Sequence, residues 1–190
     1  MELVSMFIAA VLINNIVLTK FLGMCPFLGV SKKMSSALGM GAAVIFVIFG
    51  ASLISYGLYY LVLVPLKLEY MQLITFILVI ASFVQFVEMV IKKYSPALYK
   101  SLGVYLPLIT TNCTVLYVAQ QNISSSYTLV ETIVNSIAVP TGFLMVLVIF
   151  AAVRERLESA DIPECFKGNP IALICAATMA LAFTAFAGLV

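Results

Sequence analysis

Two of the four cysteines sit in sequence where a thiol can do chemistry. Cys25 lies in Phe21-Leu-Gly-Met-Cys-Pro-Phe-Leu-Gly-Val30, an apolar run broken by Gly23 and Pro26. Cys113 lies in Leu106-Pro-Leu-Ile-Thr-Thr-Asn-Cys-Thr-Val-Leu116, again apolar and again with a proline close by. A thiolate is a nucleophile and a soft metal ligand. The chain has no histidine, which removes imidazole-ligated haem, His-type zinc sites and His proton shuttles together. Any metal must therefore use cysteine, carboxylate or carbonyl. Cysteines 25, 113, 165 and 175 follow no C-x-x-C spacing, so neither a zinc ribbon nor a self-contained ferredoxin-type cluster is encoded. Two thiols make half of a site: a [2Fe–2S] cluster takes four ligands, so one built on Cys25 and Cys113 requires two more from another subunit. Cys165 and Cys175 read as small, soft hydrophobes. No nucleophile–base pair, phosphate-cradling loop or paired carboxylates occur in working spacing, and the isolated chain has no complete active site.

The elements that position these thiols must lie in a membrane. Of 190 residues, 64% are hydrophobic and 9% charged, against roughly 25% charged in soluble domains. Apolar runs of about 20 residues span the hydrocarbon core as helices, and the dyad alternation of a membrane barrel is absent. The expected fold class is an all-α integral membrane protein of six transmembrane helices. The opening Met1-Glu2 and the long first apolar run argue against a cleaved signal peptide. No basic cluster interleaved with aromatics points to nucleic acid.

Apolar segments fall at about 3–22, 37–63, 70–91, 102–120, 128–153 and 170–189, with ends uncertain by roughly 2–4 residues. The odd connections and their flanks hold Lys20, Lys32, Lys33, Lys92, Lys93, Lys100, Arg154, Arg156 and Lys167, whereas the other side holds Lys67. The positive-inside rule then makes the odd connections cytoplasmic and both termini extracytoplasmic, with acidic residues carrying little weight. The chain reads as one membrane domain.

Placed in register on their cysteines, Gly23 to Val30 lies over Thr111 to Val118, each near the close of the first helix of a three-helix set. A three-helix unit is odd, so a second copy enters from the opposite face. The expectation is an inverted repeat of about 1–95 and 96–190, the arrangement that places sites near the midplane. Counting from Leu102, Cys113 falls roughly 16 Å into the membrane. The run from Leu3 to Val30 is too long for one upright span and must tilt, break or re-enter around Gly23 and Pro26. Broken backbone is tolerated there only under protein or a cavity, so Cys25 is expected to face protein.

Asn14 and Asn15, in mid-segment, are expected to bond between helices. Lys20 and Glu88 are expected to snorkel to the cytoplasmic interface. Gly39, Gly41, Ala43, Gly50 and Ala51 provide small faces for close helix approach.

Long stretches of the chain resemble a known family. They are Asn14-Asn-Ile-Val-Leu-Thr-Lys-Phe-Leu-Gly-Met-Cys25-Pro-Phe-Leu-Gly-Val-Ser-Lys-Lys33, Val84-Gln-Phe-Val-Glu-Met89, Leu102-Gly-Val-Tyr-Leu-Pro-Leu-Ile-Thr-Thr-Asn-Cys113 and Ala152-Val-Arg-Glu-Arg-Leu157. The match, nearly end to end, is to the A subunits of Rnf electron-transport complexes, relatives of the E subunit of the sodium-pumping NADH:quinone oxidoreductase. The resemblance implies a six-helix subunit of the bacterial cytoplasmic membrane, paired with a homologous sister subunit of opposite orientation (RnfE-like). The two would share an intramembrane [2Fe–2S] cluster, with Cys25 and Cys113 matching this chain's two cluster cysteines. It further implies ferredoxin:NAD electron transfer coupled to sodium or proton transport, with flavins and further clusters on other subunits. A secondary-transporter-like or purely structural membrane subunit is the competing class.

Overall fold

The computed structural model describes residues 2–31, 34–94, 109, 112–158 and 163–185, and among these the ordered elements are all helical. The first segment is broken twice. Helix α1 (Glu2–Ile8) widens into a π-helical turn, Ala9–Ile13, closed by the Asn14 N–H donating to the Ala9 carbonyl at 2.8 Å. A five-residue stub, α2 (Ile16–Lys20), follows, and then α3 (Met24–Val30). Phe21 and Gly23, at φ 52° and 79°, turn the chain between them. A left-handed backbone stops a right-handed helix. Pro26 does not: it occupies the first turn of α3, where a missing N–H costs nothing.

The second segment is one apolar run of helix from Met34 to Leu66. It comprises α4 (Met34–Leu58), a π-helical turn Tyr59–Leu63 and α5 (Val64–Leu66), and ends at left-handed Lys67. Helix α6 (Gln72–Tyr94) is the third, α7 (Cys113–Ser124) the described part of the fourth, α8 (Leu129–Glu158) the fifth and α9 (Asn169–Thr184) the sixth. Three of these helices, Met34–Leu66, Gln72–Val90 and Leu129–Leu157, are long and apolar enough to cross a membrane, while Leu3–Ile13 and Asn169–Thr184 are shorter. The opening of the expected fourth segment, with Thr110, Thr111 and Lys100, and the connection residues Lys32 and Lys33 lie outside the described residues.

Helix α8 is the organising element. It packs against α4, against α1 with its π turn and against α2, while α4 also packs against α6 and α7. Phe27, Phe76, Phe143, Phe150 and Met40 fill the interior, and the Phe27 and Phe150 rings stack with centroids 4.3 Å apart. The expected small-residue faces are used. A Cβ at Gly41 would run into the Leu144 side chain on α8, and one at Gly50 would stand 2.5 Å from the Phe83 ring on α6. Leu61, Tyr70, Ile74, Leu78 and Leu181 face outward, as lipid-facing side chains do.

Candidate functional site: the seam between the two cysteine segments

The first break is set by a side chain. Asn15 caps α2 with φ −62° and ψ 117°, its Oδ1 accepting from the Val17 N–H at 3.2 Å. Its Nδ2 donates to the Val11 carbonyl at 3.1 Å and across to the Gly142 carbonyl on α8 at 2.9 Å. The interhelical bond expected of this amide is present. Gly142 is required for it, because a Cβ there would stand 2.9 Å from the Val11 carbonyl oxygen and 3.0 Å from Asn15 Nδ2.

Asn112 repeats the device. It caps α7 with φ −72° and ψ 113°, and its Oδ1 accepts from the Thr114 N–H at 3.1 Å. Asn15 and Asn112 thus cap their helices in the same way, each accepting from the N–H two residues on. Both thiols open a helix, rather than closing one as expected: Cys113 is the first residue of α7, and Cys25 the second of α3 behind its Gly23 cap.

The two cysteine segments meet at this seam. A Cβ at Gly23 would stand 2.7 Å from Thr114 Oγ1, 3.0 Å from the Phe143 ring and 3.5 Å from Asn112 Oδ1. The residues flanking Cys113 therefore pack on the residue two before Cys25. Asn112 Nδ2 and Thr114 Oγ1 are buried here with no hydrogen-bond partner among the described residues.

Cys25 and Cys113 are free thiols, and both are exposed on the surface of the chain. The α3 opening turns the Cys25 thiol to the surface of the chain, while Pro26 and Phe27 take the interior, so the protein that Cys25 is expected to face is not supplied by the described residues. Among the described residues no three His, Cys, Asp or Glu side chains gather to hold a metal. Any metal on these thiols needs donors from elsewhere. Cys165 is exposed and Cys175 half-buried.

Arg154, which sequence reasoning counted only as a topological charge, is buried, donating from Nη1 to the Leu28 carbonyl at 2.7 Å and to Ser31 Oγ at 2.8 Å. It pins the end of α3 to α8. Lys20 departs from expectation in the other direction. It lies in the wall of a cavity of about 280 Å³ with Asn14, Thr19, Tyr117, Gln121, Tyr127 and Asn135. From Asn135 to Arg154 along α8 is roughly 28 Å at 1.5 Å per residue, so Lys20 sits far from the Arg154 end it was expected to reach. The left-handed turn at Phe21 closes α2 before the chain proceeds along α8, so Lys20 is left behind. Beside the cavity, Asn135 Nδ2 donates to Asn122 Oδ1 at 2.7 Å and ties α8 to α7.

Residues 3–190 match the family described as Rnf-Nqr subunit, membrane protein. The chain is 54% identical to the A subunit of the Na(+)-translocating ferredoxin:NAD(+) oxidoreductase complex of Acetobacterium woodii, over 100% of this chain and 98% of the relative. It is 55% identical to the A subunit of the ion-translocating oxidoreductase complex of Syntrophotalea carbinolica, with the same coverage. To the protein of that name in Cronobacter sakazakii it is 54% identical over 97% of this chain and 96% of the relative. The chain belongs to the Rnf-Nqr family of membrane subunits.

Proposed function

We propose that the chain is a membrane subunit of an ion-translocating ferredoxin:NAD oxidoreductase complex, and that Cys25 and Cys113 supply half the ligands of a [2Fe–2S] cluster completed by an RnfE-like sister subunit. The enzyme is the complex, whose other subunits carry flavins and further clusters. The observation that carries the reading is the seam. Two free thiols open separate helices, both exposed, and their flanking residues Gly23 and Thr114 are in contact. The donor set fits such a group: two thiolates are half of what the cluster takes, and their exposure leaves room for a second chain.

Six spans in two inverted three-helix repeats, about 1–95 and 96–190, are part of the reading. It is supported by the matched Asn15 and Asn112 caps and by reciprocal packing. The middle helices α4 and α8 pack on each other, α4 on α7, and α8 on the first segment. The bias of Lys and Arg toward the odd connections supports a reading in which these are cytoplasmic and both termini lie outside a bacterial cytoplasmic membrane.

A bound cluster supplies a one-electron stop within a barrier of roughly 30 Å of hydrocarbon. The chain's own residues do the rest. Gly23 and Thr114 hold the two cysteine segments together, Asn15 and Asn112 satisfy the broken backbone, and Arg154 fixes α3. Added charge in a low dielectric is costly, which links electron arrival to cation movement, sodium or proton. The test is Cys25→Ser and Cys113→Ser in the assembled complex. Each is expected to remove the same paramagnetic signal and about one cluster's iron, and to abolish electron flux; full iron and full flux in both variants would refute the assignment.

A further inference from the structure

Across residues 3–31 and 101–130, the two stretches that carry Cys25 and Cys113, the chain has one charged side chain, Lys20. Its ammonium lies 5.5 Å from the centroid of the Tyr117 ring. Tyr117 stands one helical turn beyond Cys113, and residues four apart share a helix face. Gln121, a further turn along that face, lines the same cavity as Lys20 and Tyr117. The face of α7 that exposes the Cys113 thiol is thus continuous with the wall that holds Lys20. Among the described residues the cavity lining contains amides, hydroxyls and phenols and no carboxylate. Such groups solvate an ammonium without neutralising it, and an ionisable side chain inside a membrane segment either pairs with opposite charge or lines a polar cavity. The Tyr117 ring adds a cation–π attraction. What the described lining lacks is a negative charge.

We infer that Lys20 is the counter-charge of the thiol-bound centre proposed above, held in a polar cavity one to two turns from Cys113, and that it raises that centre's reduction potential. The inference rests on the shared-cluster reading. A cluster held by four thiolates is anionic, and each electron adds one negative charge. A fixed cation nearby lowers the energy of the reduced form more than that of the oxidised form. Lys20 touches neither the iron nor the electron donor in this reading; it acts through the field.

The experiment is a redox titration, followed by electron paramagnetic resonance, of the complete purified complex carrying wild-type chain, Lys20→Gln, Lys20→Arg or Gln121→Lys. With iron content retained, Lys20→Gln is expected to move the midpoint potential of the Cys25- and Cys113-dependent signal to more negative values. Lys20→Arg, which keeps the charge, leaves it near the wild-type value, and Gln121→Lys, which adds a second cation to the same cavity, moves it to more positive values. If Lys20→Gln does not assemble, the direction of the Gln121→Lys shift decides. A signal present with its potential unmoved in these charge variants overturns the assignment of Lys20 alone, and shows its charge balanced by a lipid phosphate or a partner carboxylate. Absence from the wild-type complex of any signal that both cysteine variants abolish overturns the cluster reading, and this inference with it.

Discussion

Gly23 lies so close to Thr114 that a methyl group added at position 23 would stand 2.7 Å from the Thr114 hydroxyl oxygen. Two segments some ninety residues apart in sequence are thereby held in contact beside their cysteines. Glycine meets two demands at once, because its φ of 79° is left-handed and would cost any other residue about 1–2 kcal/mol.

Gly23→Ala is therefore expected to separate the cysteine segments, lower the melting temperature of the purified complex and reduce bound iron. Thr114→Ala in the same chain removes the clashing oxygen and should restore part of the iron, the backbone strain remaining. Equal losses in the single and double variants would show that the contact does not set the thiol geometry.

Asn15→Leu keeps the volume at the first break but deletes the donors to the Val11 and Gly142 carbonyls and the acceptor for Val17. Leaving a buried carbonyl unpaired costs about 1–3 kcal/mol, so a clear loss of thermal stability in detergent is expected. Gly142→Ala should cause a similar loss by pushing on Val11.

Arg154→Met strips the Leu28 carbonyl and the Ser31 hydroxyl of a charged donor. A hydrogen bond to a charged group contributes about 1.5–3 kcal/mol, and the end of α3 should loosen, seen as faster proteolysis near Ser31. Arg154→Lys carries the charge without the planar fork, and partial protection is the expected result.

The exposure of Cys25 and Cys113 predicts that a membrane-permeant maleimide modifies both in the chain expressed without partners, and neither in the assembled complex. Rapid labelling of either thiol in the intact, iron-replete complex would show that no second chain covers the seam.

Much of this arrangement was legible in the residues. Apolar length alone marks Met34–Leu66, Gln72–Val90 and Leu129–Leu157 as spans, and the cysteine neighbourhoods mark the seam. The start of α8 carries a further readable signal, Thr128-Leu-Val-Glu131, in which the Glu131 carboxylate accepts from the Thr128 N–H at 2.8 Å, a capping box. Pro26 misleads because a proline breaks a helix interior yet suits its first turn. Asn15 is readable as polar in an apolar run, but its bond across to α8 depends on Gly142, more than a hundred residues away. Arg154 looks like a topological marker until α3 brings two acceptors to it. Lys20 follows the same rule: its place in the cavity beside Asn135 goes with the left-handed turn at Phe21, which no count of spacing reveals.

Helix α8 holds α7 through Asn135 and Asn122 near one end, and α3 through Arg154 near the other. Between these attachments lies Pro140, which has no N–H and so removes one rung from the ladder of backbone bonds. Mechanically this is a crossbar with a weakened joint, clamped to each of the two cysteine-bearing helices. Displacing either clamp loads the joint, so a tug on one cysteine helix is delivered to the other along α8.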